Sequence, residues 1–275
     1  MFKLVWINLF LKRARFSLFR YFSVIIIFLL QASLLYAESA KDHYDKGVTY
    51  LMNAAFAGHT IDSARLLDKA IIEFKEAVRL NPKYVEAYYD LGLAYKTRGK
   101  DEQALAFFKK AIEIKPDSTD AYMQIGDVFY KKKDYNNALL GYKRVVEIDS
   151  KKITAYTAIG KIYIDMKDYN SAISYLEKGL QIDPEHLDLH FYLGNAYFGL
   201  KMYDNAISEY KVILKERPEE GMVYYRLGLA YKEKGLSDLA EDAFNKTMEY
   251  SPFTDEEAVA MRELLEIKKK KEKKK

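Results

Sequence analysis

Hydrophobic residues recur along much of this chain with the period of an amphipathic helix. One stripe, spaced i, i+3, i+4 and i+7, consists of Tyr88, Leu91, Gly92 and Tyr95. This spacing places all four residues on one helical face. After a polar break at 98–100, a second helical stripe consists of Ala104, Phe107, Phe108, Ala111 and Ile112. Pro116 follows, and proline cannot continue a helix. The pattern therefore predicts two consecutive helices.

The same pattern returns every 34 residues. Residues 88–99 read YYDLGLAYKTRG, and residues 224–235, four periods later, read YYRLGLAYKEKG. Glycine recurs at Gly92, Gly126, Gly160, Gly194 and Gly228. Alanine recurs at Ala104, Ala138, Ala172, Ala206 and Ala240. Self-similarity at a fixed period is the signature of a repeat array, so we expect five helix pairs over residues 85–252.

The glycine column needs a structural reason, because glycine inside a helix costs roughly 1 kcal/mol relative to alanine. We expect the glycine of each first helix to face the alanine of the second, so that the two backbones approach closely. In the central repeat this predicts that Gly160 lies against Ala172.

The regular pattern is flanked by less regular segments. Residues 38–84 are predicted to form an irregular first repeat with a longer inter-helix segment near MNAAFAGHTID. Residues 253–267 are predicted to form a capping helix, begun by a capping box between Thr254 and Glu257. Its apolar face is expected to comprise Ala258, Met261, Leu264 and Leu265. The lysine-rich tail, 268–275, is expected to be disordered.

The first 37 residues have the character of a targeting segment. A basic stretch precedes an uncharged run at 21–37, which is typical of a secretory signal peptide or an uncleaved membrane anchor. In both cases the basic flank stays in the cytoplasm. We therefore expect the repeats to be exported across the cytoplasmic membrane, either soluble in the periplasm after cleavage or anchored by residues 21–37.

Composition and charge narrow the function. With 13 Gly and 5 Pro in 275 residues, the chain has little turn chemistry for a many-stranded β fold, and without cysteine it has no disulfide or thiolate site. The net charge of +4 includes +5 from residues 1–37 and +6 from residues 268–275, which leaves −7 for residues 38–267. An acidic body gives no reason to expect nucleic-acid binding.

A set of residues with catalytic spacing is not evident. The sequence lacks a nucleophile elbow, a phosphate-binding glycine loop and an HExxH motif. His186 and His190 have the i, i+4 spacing of two metal ligands, but His190 occupies a core position of its repeat and no third ligand is in register. We therefore expect no enzyme activity, no metal and no cofactor.

The Tyr…Leu-Gly…Tyr…Ala…Phe…Pro pattern at 34 residues resembles the tetratricopeptide repeat family over residues 85–252. The resemblance implies an all-α, right-handed superhelical solenoid of antiparallel helix pairs with a C-terminal capping helix. The departures from the family pattern are Ser150 in a proline position, Leu176 in an aromatic position and His190 in the large aromatic position of its first helix.

In this family the first helices line a concave groove that holds a peptide or a helix of a partner protein. Carried over to this chain, the groove residues are Tyr89, Leu93, Met123, Asp127, Tyr130, Thr157, Lys161, Phe191, Asn195, Phe198, Tyr225 and Leu229. The resemblance thus implies a non-catalytic interaction scaffold, here of the bacterial cell envelope. Two alternatives remain open: a membrane-surface tether that uses both basic ends, and a non-catalytic subunit of an envelope enzyme complex.

Overall fold

The computed structural model describes residues 38–58, 60–252 and 254–272. Within these residues the chain forms thirteen α-helices and no β-strand. The helices are α1 (Ala40–Phe56), α2 (Ile61–Leu80), α3 (Val85–Thr97), α4 (Asp101–Ile114), α5 (Thr119–Lys131), α6 (Tyr135–Ile148), α7 (Ile153–Asp165), α8 (Tyr169–Ile182), α9 (Leu187–Gly199), α10 (Tyr203–Glu216), α11 (Gly221–Glu233), α12 (Ser237–Tyr250) and α13 (Asp255–Glu272). The predicted all-α class is confirmed, while the predicted signal or anchor at 1–37 lies outside the described residues.

The chain divides into two compact units, residues 1–100 and 101–275, a division that the 34-residue pattern does not predict. In the first unit, α2 packs against both α1 and α3. In the second unit, every helix from α4 to α13 packs against the next one along the chain. The helices α7, α9, α11 and α13 also contact one another in order. They therefore build a shared face from helices that are not consecutive in sequence.

The same backbone turn ends the first helix of each regular pair. In the repeat of α5, Lys133 has a φ of 59°, its N–H donates to the Tyr130 carbonyl at 2.8 Å, and the Asp134 N–H donates to the Phe129 carbonyl at 2.9 Å. This is a Schellman motif, which satisfies the last carbonyls of the helix. The residues with positive φ at this position are Gly99, Lys133, Lys167, Lys201 and Gly235. The turn explains why three residues suffice to reverse the chain.

The glycine column accommodates a large side chain of the second helix. A Cβ added to Gly194 would lie 2.6 Å from the Tyr210 ring, and one added to Gly160 would lie 2.5 Å from Leu176 Cγ. The corresponding neighbours are Tyr142 for Gly126 and Phe244 for Gly228. The side chain nearest to Gly160 is therefore Leu176, and not Ala172, which we expected to face it. The side chain four residues after each alanine fills the space that the absent Cβ leaves.

The alanine column is buried for a related reason. Ala104, Ala138, Ala172, Ala206 and Ala240 are all 0% exposed. In the second unit, Ala138, Ala172 and Ala206 each belong to a separate cluster of buried residues that contains side chains from consecutive helices. The core is thus a series of local clusters, as expected when each repeat buries its apolar face against its neighbours.

Three of the ion pairs that join neighbouring repeats of the second unit share one sequence offset. Lys131 Nζ lies 3.1 Å from Asp101 Oδ2, and Lys132 Nζ lies 2.6 Å from Glu102 Oε1, each pair being 30 residues apart. Lys234 pairs with Asp204 at the same offset. Exposed ion pairs typically contribute only 0–1 kcal/mol to folding stability. Their common offset is therefore mainly evidence that these repeats stack in a regular way.

The first helix pair keeps the glycine contact with a longer spacing. A Cβ on Gly47 would lie 2.6 Å from the Phe74 ring, as in the regular repeats, but the two residues are 27 positions apart. Gly194 and Tyr210 are 16 positions apart. Eleven residues are therefore additional in the first pair.

The additional residues lengthen the helices. Relative to the pair α5–α6, α1 runs four residues further past its glycine, α2 begins six residues earlier before its ring, and the linker is one residue longer. The expectation of a longer inter-helix segment is therefore wrong, since only residues 57–60 separate α1 and α2. The additional residues therefore extend both helices at the ends that the linker joins.

The last helix differs from its prediction in face and in length. Thr254 Oγ1 accepts a hydrogen bond from the Glu257 N–H at 3.2 Å, as the capping box requires. The buried side chains, however, are Ala260, Leu264 and Ile267, whereas Met261 and Leu265 are about half exposed. The buried face therefore differs from the predicted one. Which residues of α13 are buried depends on the apolar surface that α11 and α12 present to it.

Helix α13 continues through 268–272, which were expected to be disordered. Lysine and glutamate are good helix formers, and positive charge near a helix C-terminus interacts favourably with the helix dipole. Among the residues that the structure describes, no helix combines the length and the apolar character needed to cross a membrane.

Candidate protein-binding groove

The predicted groove residues of the second unit lie on four first helices. They are Met123, Asp127 and Tyr130 on α5, Thr157 and Lys161 on α7, Phe191, Asn195 and Phe198 on α9, and Tyr225 and Leu229 on α11. All of them are half-buried. Because α7, α9 and α11 contact one another, their groove residues form one surface. The two remaining residues, Tyr89 and Leu93, are half-buried on α3 of the first unit.

A pocket of about 310 Å3 opens on this surface between α7, α9 and α11. It brings together four predicted residues: Lys161, Phe191, Asn195 and Phe198. Its other lining residues are Ile164, Asp165, Tyr169, Tyr192, Gly199 and Arg226. The predicted groove positions do not include Tyr169, which begins a second helix, or Arg226, which lies one position beyond the groove spacing. We call this pocket the cationic pocket, after Lys161 and Arg226.

A second pocket, of about 260 Å3, adjoins the first. It shares Phe191 and Tyr192 with the cationic pocket, and its remaining lining residues are Leu187, Asp188, Ile213, Arg217, Glu220, Met222 and Val223. The shared rings form a wall between the two spaces. The two pockets therefore meet at these two residues, and the second one lies at the N-terminal ends of α9 and α11. We call this second space the terminal pocket.

Buried tyrosines of the second helices hold two groove side chains in place. The Tyr142 hydroxyl donates to Asp127 Oδ1 at 2.7 Å, and the Tyr210 hydroxyl donates to Asn195 Oδ1 at 2.9 Å. Burial raises the pKa of both phenols, and for Tyr142 the hydrogen bond to Asp127 raises the pKa further. Both phenols therefore stay protonated and act as donors. In these two repeats, a tyrosine of the core therefore orients a polar side chain of the groove.

The groove aromatics rest on core rings without being part of the core. The Phe191 ring centroid lies 6.4 Å from that of Tyr210, and the Tyr225 centroid lies 6.4 Å from that of Phe244. Phe198 meets Tyr203 edge-on at 5.4 Å. These rings are supported from one side and half-buried. Supported, half-exposed aromatic rings are typical of interface anchors, which supply contact area at low entropic cost.

The charged groove residues interact mainly with rings. Lys161 Nζ lies 4.9 Å from the centroid of Tyr130, and the Arg226 guanidinium lies 5.8 Å from that of Tyr225. The Tyr130 hydroxyl donates to Asp165 at 2.6 Å. A cation held over a ring keeps its charge available for a ligand, since the ring contributes about 0.5–1 kcal/mol at exposed sites.

Two of the histidines that the structure describes contact carboxylates. His190 is buried, with Nδ1 2.6 Å from Glu209 Oε2 and Nε2 2.9 Å from the Pro184 carbonyl, so both ring nitrogens are occupied. In the first unit, His43 has Nδ1 2.6 Å from Glu73 and Nε2 3.6 Å from Glu38. This cluster, which the sequence analysis missed, also includes a pair between Glu38 and Lys46. Ion pairing accounts for its geometry.

Comparison with known proteins identifies the repeats. Models of the tetratricopeptide repeat match residues 85–118, 163–220 and 223–254. A further model, described as TPR repeat, matches 67–99 and 126–167. The chain carries tetratricopeptide repeats. Such repeats are protein-interaction scaffolds and generally non-catalytic. The matched range that begins at residue 67 also shows that the tetratricopeptide pattern starts before residue 85, within α2.

Several solved structures are similar to this chain. YrrB, described as a TPR protein with an unusual peptide-binding site, is 20% identical over 69% of this chain and 97% of its own, with a TM-score of 0.58. MamA is 26% identical over 60% of this chain and 91% of its own, with a TM-score of 0.56. PilF of Pseudomonas aeruginosa is 14% identical over 84% and 97%, with a TM-score of 0.63. No curated protein matches the chain.

Proposed function

We propose that this tetratricopeptide-repeat protein is a non-catalytic scaffold that binds a peptide or helix of a partner protein on the face formed by α5, α7, α9 and α11. The observation that carries the proposal is the pair of adjoining pockets, of about 310 and 260 Å3, lined by half-buried aromatic residues. Concave sites with apolar walls and a few polar groups are the usual form of binding sites. The peptide-binding site named for YrrB is consistent with this use of the fold.

The test removes groove rings without disturbing the repeat core. We expect Phe191→Ala with Phe198→Ala to weaken capture of the partner from a cell extract at least tenfold, or about 1.4 kcal/mol. Tyr175→Ala is the matched control, because Tyr175 is a half-buried ring on α8 that stacks on Tyr163 outside the groove. Equal capture by the groove variant and the control would refute the proposal, provided that both keep the helicity of the unmodified chain.

We further propose that the scaffold acts on the outer side of a bacterial cytoplasmic membrane. This part rests on the sequence of residues 1–37, where a basic flank precedes an uncharged run. A periplasmic reporter enzyme fused after Pro252 is expected to be active, and its activity should disappear when residues 1–37 are removed. Activity of a cytoplasm-specific reporter at the same fusion point, with residues 1–37 present, would refute the export proposal.

A further inference from the structure

Two cations of the cationic pocket have no carboxylate partner among the residues that the structure describes. Arg226 is half-buried, and its Nε is fully buried without a hydrogen-bond acceptor. Its guanidinium contacts the Tyr225 ring, and it forms no ion pair with a described carboxylate. Lys161 likewise contacts the Tyr130 ring and no described acid. An unpaired charge that loses water is costly, so a site that retains such charges favours an anionic ligand.

The third polar group of the pocket is also oriented as a donor. Asn195 accepts the Tyr210 hydroxyl through Oδ1 at 2.9 Å. Because the oxygen is used in this bond, the amide NH2 group is left to donate to a ligand. The tyrosine remains protonated, since burial raises its pKa. The core below α9 therefore determines which end of the Asn195 amide is available.

The one carboxylate in the lining of this pocket does not neutralise these donors. Asp165 lies in the wall, but it accepts the Tyr130 hydroxyl at 2.6 Å. The lining thus contains two cations and one acid, whereas residues 38–267 together carry a net charge of −7. The cationic pocket is a local region of positive charge on an acidic body, and it attracts a ligand of opposite charge.

We propose that the cationic pocket binds the carboxylate of an internal Asp or Glu residue of a partner segment, while an apolar side chain of the same segment occupies the terminal pocket. The proposal deepens the proposed function and rests on it. Guanidinium groups match carboxylates in a bidentate geometry, and Arg226, Lys161 and Asn195 surround the space that the carboxylate would enter. The terminal pocket continues beyond the wall of Phe191 and Tyr192, so the bound segment runs past the acidic residue.

The proposal is tested with peptides that have no free carboxyl terminus. The full chain, solubilised in detergent, is immobilised and used to select from a displayed library of random dodecapeptides that are fused at both ends. We expect the selected peptides to share an Asp or Glu at a constant distance from an aromatic or aliphatic residue. Selection without such an acid, or binding that needs a free terminal carboxylate, would overturn the proposal.

A double-mutant cycle then assigns the carboxylate to its partner. The best peptide is synthesised with blocked ends, and its Glu→Gln form is expected to bind the unmodified chain at least tenfold more weakly. With the Arg226→Met variant, the Glu→Gln change should lower the affinity of the peptide less than twofold, because the interaction between the carboxylate and Arg226 is already lost. Lys161→Met, on a different helix, provides a second cycle with the same expectation in case Arg226→Met alters folding. Arg144→Met, an exposed residue of α6 paired with Glu147, should behave like the unmodified chain.

The outcomes separate this inference from the proposed function. Suppose that Phe198→Ala weakens peptide binding, but that neither Arg226→Met nor Lys161→Met reduces the effect of Glu→Gln in the peptide. The groove then binds peptides, and the carboxylate assignment is wrong. If Phe198→Ala leaves the affinity of the peptide unchanged, the peptide binds elsewhere, and both the groove proposal and the carboxylate assignment fail.

Discussion

Three lysines hold a backbone conformation that glycine holds in the flanking repeats. Lys133, Lys167 and Lys201 have φ near 60°, whereas Gly99 and Gly235 occupy the equivalent positions with φ of 72° and 78°. The left-handed region costs a residue with a Cβ about 1–2 kcal/mol. The turn itself is kept in all five repeats, so the lysines are held there by the Schellman hydrogen bonds of the surrounding backbone.

Replacing these lysines by glycine should therefore stabilise the array. The gain is partly offset by the greater entropy of glycine in the unfolded chain, about 0.4–1 kcal/mol, so each change is expected to contribute up to about 1 kcal/mol. The triple variant Lys133→Gly, Lys167→Gly, Lys201→Gly should show an additive rise in thermal midpoint, measured by circular dichroism. Lys109→Gly, in the middle of α4, is the control and should lower the midpoint. A triple variant that melts below the unmodified chain would contradict this reading of the turns.

The glycine column makes a second prediction at this scale. Gly160→Ala places a methyl group 2.5 Å from Leu176 Cγ, and such overpacking typically costs about 1–3 kcal/mol. Adding Leu176→Val should recover part of the loss, because the shorter side chain withdraws from the new methyl. Chemical denaturation of the two single variants and the double variant measures this coupling. Strict additivity of the two changes would show that Gly160 and Leu176 are not in contact.

The sequence identifies the recurring glycine and alanine positions, but it does not identify the side chains that pack against them. The 34-residue period identifies Gly160 and Ala172 as small residues that face inward, because each position can be recognised from the apolar pattern of its own helix. It does not reveal which side chain of the second helix fills the space above the glycine. That depends on the angle at which the two helices cross, which no single helix encodes. For the same reason, the groove spacing includes Tyr225 but not Arg226, the residue beside it, which also lines the pocket.

At the scale of helices, the C-terminal helix shows how a neighbouring surface decides a face. Apolar residues of α13 occur at 258, 259, 260, 261, 264, 265 and 267, and this pattern is wide enough to fit more than one face of the helix. The structure buries Ala260, Leu264 and Ile267 in the cluster that contains Phe244 and Leu227. A capping box and a helical period predict from the sequence that α13 forms. Which of its faces is buried depends on the packing against α11 and α12.

Adjacent leucines of α13 provide a matched test of this face. Leu264 is 5% exposed and Leu265 is 53% exposed. Leu264→Ala should lower the free energy of unfolding by about 2–5 kcal/mol, the range for a buried leucine. Leu265→Ala should change it by about 0.5 kcal/mol or less, as is usual for surface substitutions. Urea denaturation of the two variants decides between the buried face observed and the one predicted, because the predicted face assigns similar losses to both.

At the scale of the whole chain, the local clusters imply that the two units lose structure separately. Phe74 is 0% exposed beneath Gly47 in the first unit. Phe74→Ala should cost about 3–5 kcal/mol and should accelerate amide hydrogen exchange in α1, α2 and α3. Exchange in α8 to α12 should remain as slow as in the unmodified chain, since stability in repeat proteins passes only between neighbours. Uniform acceleration along the chain would instead indicate a single cooperative unit.

The short reach of the contacts bears on how the protein is made. Ion pairs between repeats of the second unit join residues only 30 to 34 positions apart, and the Tyr130–Asp165 hydrogen bond joins residues 35 positions apart. A chain with such local contacts has a low contact order, and low contact order favours fast folding. Each repeat can complete its packing once the next one has emerged from the ribosome or from a translocation channel. The leading end can therefore acquire its native structure while the trailing end is still being delivered, and α13 finishes the array when it arrives.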